Sequence, residues 1–102
     1  MLSISLREDK SQPYIFGYIA EQDKEFLAEG IFKIAEGCVS LVSYNAKAAE
    51  DFEIFDAVVR IGLDHALSRG IESAFVPQEF GYTKSLEFSI RDFFEDNRNC
   101  SK

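Results

Sequence analysis

A chain of 102 residues with 46% hydrophobic side chains supplies one core and not two, so a single domain over residues 1–102 is the expected organisation. Eleven Lys and Arg stand against eighteen Asp and Glu, a formal net charge of -7, which argues against nucleic acid and anionic membrane surfaces as partners. No apolar run approaches the ~20 residues needed to span a bilayer, and Met1 opens onto alternating sequence with no basic segment or apolar signal core, so a cytoplasmic protein is expected.

The segment Leu2 to Arg7 alternates apolar and polar residues with period two, the pattern of a strand with one face on a core. Glu8 to Gln12 is polar, Pro13 cannot donate to a ladder, and Tyr14 to Ala20 carries β-branched and aromatic residues on both faces, a second strand. After the acidic turn Glu21 to Glu25, a third strand is expected over Phe26 to Ile34, with Gly30 as a bulge. Glu36-Gly37 then turns the chain into a fourth strand, Cys38 to Tyr44, to complete a hairpin.

From Phe52 to Arg69 the period changes. Phe55, Val58, Val59, Gly62, Leu63, Ala66 and Leu67 follow the i, i+3, i+4 spacing of a helical face, and Val58, Leu63, Ala66 and Leu67 are expected against the sheet. Asp56, Arg60 and Asp64 stand four apart, where opposite charges pair, and Gly70 is the expected left-handed residue after the helix. Ile71 to Val76 reads as a fifth strand ended by Pro77, and Gln78 to Leu86 fits more than one state, a short helix among them. Ser89 to Asp92 has capping-box spacing before Phe93 and Phe94, which predicts a terminal helical turn or two. The fold class is therefore α/β (α+β): an antiparallel meander followed by a right-handed β-α-β unit around one long helix.

The run Asp56 to Ile71, with its Arg69-Gly70-Ile71 ending, resembles the central helix and following turn of the GNAT N-acetyltransferase superfamily. Ile15 to Ala20 is similar to that family's second strand, Cys38 to Tyr44 to its fourth, and Tyr82 to Phe88 to its last helix and Leu-Gly-Phe ending, with Glu87 in place of glycine. The resemblance covers residues 14–88 and implies an acyl-CoA-dependent transfer, in which a substrate amine attacks a thioester polarised by a backbone N–H of the fourth strand.

Two departures bear on that chemistry. The family has a pair of helices after its first strand, and only Glu8 to Gln12 stands there in this chain. The family's pyrophosphate loop reads Arg or Gln, two residues, Gly, one residue, then Gly or Ala. Here Glu50, Asp51, Phe52, Glu53, Ile54 and Phe55 align with it, so the basic or amide residue becomes Glu50 and the small residues become Glu53 and Phe55. Glycine in such a loop lets backbone N–H groups approach phosphate while the helix dipole favours its charge. Carboxylates at the same place satisfy the N–H groups themselves.

Other candidates compete with plainer roles. Tyr44 and Tyr82 have the chemistry to protonate a leaving thiolate, or pack at strand ends. Ser40 and Ser43 have no base beside them in sequence, and His65, the lone histidine, follows Asp64 on the helix face. Glu50, Asp51 and Glu53 lack the alternating oxygens and glycine turn of a calcium loop, and Cys38 and Cys100 form no metal or disulfide framework. Phe52 with Phe55 and Phe93 with Phe94 fill a core or an interface.

The expected protein is thus GNAT-like, with acetyl-CoA-dependent activity lost or altered, acting as a dimeric interaction or regulatory module. A homodimer is expected because the missing helices would leave part of the sheet uncovered and aromatic residues are expected on both faces of the second strand; any other protein partner is unspecified. The alternative is an active acyl-CoA-dependent N-acyltransferase of reduced form. No catalytic or cofactor-binding residue is assigned and no metal is expected; no cofactor is expected either, with acetyl-CoA or another acyl-CoA entering only under the alternative.

Overall fold

The computed structural model describes residues 2–8, 11–47, 51–77 and 87–99, the last four as backbone only. Strands β1 (Leu2–Glu8), β2 (Ile15–Gln22), β3 (Glu25–Ala35) and β4 (Cys38–Ala46) form the antiparallel meander, followed by helix α1 (Phe52–Ser68), β5 (Ser73–Phe75), β6 (Phe88–Ser89) and helix α2 (Ile90–Asn99). All six strands lie in one sheet in chain order, with β4 and β5 parallel and every other pair antiparallel.

The hairpin turns explain the tight meander. Asp23 and Lys24 have φ of 52° and 70°, and Glu36 and Gly37 have φ of 54° and 77°. Each pair of positive φ values gives the backbone twist that matches flanking antiparallel strands. Helix α1 ends as the Gly70 position predicts: Gly70 takes φ 88°, its N–H donates to Leu67 O, and the Ile71 N–H donates to Ala66 O. Those two bonds are a Schellman closure.

One face of the sheet carries α1. Directly opposed residues share a face, so the pairs Phe16 with Phe32, Tyr18 with Gly30 and Ala20 with Ala28 line the helix side. Phe16, Ala20, Ala28, Phe32, Leu41 and Val39 are buried beneath Phe55, Val58, Val59, Leu63 and Ala66. Helix and sheet meet through glycine seats: a Cβ at Gly62 would stand 2.3 Å from the Phe32 ring, and one at Gly30 would stand 2.7 Å from Val58 Cγ1.

Several expectations change. Gly30 is not a bulge but a flat ladder position that makes room for Val58. The irregularities fall between Ala20 and Glu21 and between Ile31 and Phe32, where Leu27 and Val42 are the extra residues of β3 and β4. Leu67 is half-buried rather than in the core. The fifth strand is shorter, Ser73–Phe75, and β6 was not expected. The second strand's rings share one face, since Phe16 and Tyr18 both look toward α1, while Ile15 and Ile19 occupy the other. Ser89 caps α2 as its spacing predicts, its hydroxyl accepting from the Asp92 N–H at 3.3 Å, and α2 runs longer than two turns. The Gln78 to Leu86 segment lies outside the described residues.

At the β1 end the helix side is only partly covered by the described residues, with Ile4 packed at the margin of the core. Leu2, Ile4 and Leu6 pair with Gln22, Ala20 and Tyr18 and so face that side, yet Leu2 and Leu6 are each 43% exposed.

Candidate functional site

The expected site lies where β4 parts from β5 beside the start of α1. Of β4, only Cys38, Val39 and Ser40 pair with β5, so among the described residues the edge of β4 beyond Ser40 carries no strand. Val42 bulges there and is 52% exposed.

Asp51 caps α1. Its Oδ1 accepts from the Ile54 N–H at 3.2 Å, and its backbone carbonyl accepts from the Phe55 N–H at 3.2 Å. Glu53 adds a second carboxylate in the first turn, where the helix dipole favours negative charge. Phe55 turns away from the capping groups into the core, 4% exposed, its ring edge-on to Tyr44 at 4.8 Å. Any obstruction at the helix start therefore comes from backbone capping and acidic side chains, not from the Phe55 ring. Phe52 is exposed and tilts over Phe55 at 5.7 Å.

Tyr44 is half-buried, and its buried hydroxyl has no hydrogen-bond partner among the described residues. Burial first, and the Asp51 carboxylate second, push its ionisation above the ordinary phenol value, so it remains a neutral donor. Ser40 and Ser43 pair with Lys33 and Ile31 on the side away from α1, so the sheet separates them from His65. Glu50 and Tyr82 lie outside the described residues. Phe93 and Phe94 are half-buried against the core, with the Arg60 guanidinium 5.3 Å from the Phe93 ring and paired to Asp56 at 2.7 Å.

The structure also assembles a group that sequence spacing did not bring together. His65 lies on Phe16 at 4.4 Å between ring centres, its Nδ1 is 3.2 Å from the Tyr18 hydroxyl, and its Nε2 is 3.7 Å from Glu8 Oε1. Tyr18 was visible only as a period-two neighbour of Phe16 on the helix side of β2. Burial is the main influence on the imidazole and lowers its pKa from 6.5; Arg69 lowers it too, while Glu8 and Asp64 oppose the shift.

That shift fixes a sign. The unfolded chain takes up a proton at His65 as pH falls through about 6.5, before the folded protein does, so stability falls with pH from there down to the lowered folded value. A protonated imidazole donates at both ring nitrogens, so Nδ1 then meets the Tyr18 hydroxyl only as a donor. The urea midpoint should therefore drop between pH 7.5 and pH 5.5, and His65→Phe should flatten that dependence. Equal pH profiles for the two proteins would refute the assignment.

Among the described residues no group of three or more His, Cys, Asp or Glu is placed to hold a metal ion, and no helix is long and apolar enough to cross a membrane.

No protein-family model and no curated protein matches the sequence. Solved structures do. The ribosomal-protein-S18-alanine N-acetyltransferase from Escherichia coli superposes with a TM-score of 0.62 at 13% identity, over 74% of this chain and 66% of that one. A probable acetyltransferase from Staphylococcus epidermidis gives 0.60 at 16% identity, over 67% and 44%. The IAA acetyltransferase from Bacillus cereus gives 0.61 at 12% identity, over 74% and 65%. The chain spans less than two thirds of each neighbour's length. At these identities the likeness concerns architecture, and on that ground the chain has the fold of the GNAT acetyltransferases.

Proposed function

We propose that this protein is a GNAT-fold module in which the ordinary acetyl-CoA-dependent reaction is lost or altered, and that it works as a dimeric interaction or regulatory unit. The observation that carries the reading is the start of α1. Asp51 already accepts from the Ile54 N–H that a phosphate oxygen would need, and no glycine stands between Asp51 and Phe55. These residues do not fit a pyrophosphate. At ~7 Å in water each carboxylate repels each phosphate charge by roughly 0.6 kcal/mol. Several such pairs remove one or two orders of magnitude in affinity.

A second reading, an active acyl-CoA-dependent N-acyltransferase of reduced form, draws on the β4 edge, which beyond Ser40 carries no strand among the described residues, its bulge at Val42, and the Tyr44 hydroxyl nearby in β4, which has no hydrogen-bond partner among those residues. Titration calorimetry with acetyl-CoA and with free CoA separates the two. The first reading expects no saturable heat at ligand concentrations up to about 100 μM, the range in which weak sites begin to fill. Glu50→Arg with Glu53→Gly, leaving Phe55 in place, should strengthen whatever residual binding exists. Low-micromolar binding by the wild type that this variant loses would establish the enzyme reading instead.

A further inference from the structure

We infer that the cleft between α1 and α2 is a binding site for a small organic ammonium ion with an apolar body. Arg60, Asp64 and Leu67 follow one another at steps of four and three on α1, and Arg91, Phe94 and Glu95 at steps of three and one on α2, so each set shares one flank of its helix. With Ile61 they line a cleft of about 690 Å³. That volume falls within the roughly 300–1,000 Å³ that small-molecule sites occupy. The cleft lies on the flank of α1 turned from the sheet, apart from the β4 edge and the helix start, so its occupancy does not depend on the fate of the coenzyme.

The floor is apolar where a polar one is the rule. A helix packed on a sheet ordinarily turns charged and polar residues outward. Here the outer flank carries Ile61 and Leu67, both half-buried, and Phe94 of α2 joins them.

The charges of the rim do not cancel. Arg60 is taken by Asp56, Nε to Oδ2 at 2.7 Å, and its guanidinium lies 5.3 Å from the centre of the Phe93 ring. Arg91 turns to Glu72 at 3.3 Å rather than to Glu95 one turn along its own helix. Asp64 and Glu95 have no hydrogen-bond or ion-pair partner among the described residues. Each cation of the cleft is thus paired with an acid from outside it, while two of its own carboxylates, one from each helix, stay uncompensated.

These features select among ligands. An anion meets two uncompensated carboxylates. A hard metal ion finds two carboxylates over an apolar floor, short of the oxygen shell it takes. An organic ammonium satisfies both parts: its charge faces Asp64 and Glu95, its body covers Ile61, Leu67 and Phe94, and an aromatic ring on the floor attracts a cation over its face. The net charge of -7 draws cations to the molecule as a whole.

The probe is benzyltrimethylammonium, whose quaternary nitrogen has neither an N–H nor a lone pair and so cannot accept an acyl group. In an amide-resolved NMR titration of the full chain at fixed ionic strength, it should give saturable shifts centred on residues 60–67 and 91–95. A dissociation constant of about 1 mM or below is expected of so small a ligand. Benzyl alcohol, with the ring and no charge, should bind at least about tenfold more weakly, and phenylacetate, with the opposite charge, should not saturate. Asp64→Asn together with Glu95→Gln should weaken the cation at least about tenfold and leave the thermal melt unchanged, since both side chains are exposed. Shifts scattered over the whole acidic surface, phenylacetate binding as tightly as the cation, or a double variant that binds as the wild type does would overturn the site. None of these outcomes touches the acetyl-CoA calorimetry.

Discussion

Phe55→Gly is expected to destabilise the protein by about 4–6 kcal/mol, the largest effect of any single change considered. Removing a buried phenylalanine ring costs about 3–5 kcal/mol. Glycine inside a helix adds about 1 kcal/mol. Phe55 meets both conditions: it is 4% exposed, it lies in the first turn of α1, and its ring meets Tyr44 edge-on at 4.8 Å. Glu53→Gly, two residues earlier and exposed, should cost only the helix contribution of about 1 kcal/mol. Urea denaturation of the two variants side by side decides the matter, and equal midpoint shifts would show that Phe55 is not part of the core. Position 55 therefore answers to the core: under the proposed reading, a glycine placed there to admit a phosphate would remove a buried ring.

Leu63→Ala should cost about 2–5 kcal/mol, toward the upper end where the surroundings cannot close around the cavity. Leu63 is 1% exposed on the sheet side of α1, and its neighbour Gly62 holds the helix directly against the Phe32 ring. Further approach is blocked there, so the helix cannot settle into the space that the leucine leaves. An unchanged denaturation midpoint would remove Leu63 from the core.

The elements that sequence revealed are those governed by neighbours in the chain. Alternation marks β1, the period of apolar residues marks α1, Gly70 marks its end, and Ser89 marks the start of α2, because each signal acts within a few residues. The bulges at Leu27 and Val42 had no such mark. Gly30 was misread for the same reason: its missing side chain answers to Val58, which is 28 positions away along the chain and overhead in space. The candidate site divides in the same manner. Acidic capping by Asp51 was legible from composition at the helix start, whereas the direction of the Phe55 ring depended on which side of α1 met the sheet. His65 and Tyr18 are 47 residues apart, so no local pattern could join them or bring in Glu8.

The order of the strands has a consequence for synthesis on the ribosome. β1 to β4 are linked to their neighbours by short connections, so their pairing needs only residues that have already emerged. The parallel pair is different, since Cys38 meets Ser73 across 73 − 38 = 35 positions and α1 must be laid over the meander in between. At about 5–20 residues per second, the 22 residues from the end of β4 to the end of α1 take on the order of one to four seconds to appear. During that interval Phe16, Phe32 and Leu41, which α1 covers in the complete fold, have no helix to bury them. The nascent chain therefore passes through a stage in which its most adhesive face is open to the cell, and the same stage recurs in any truncated product that stops before Ser68.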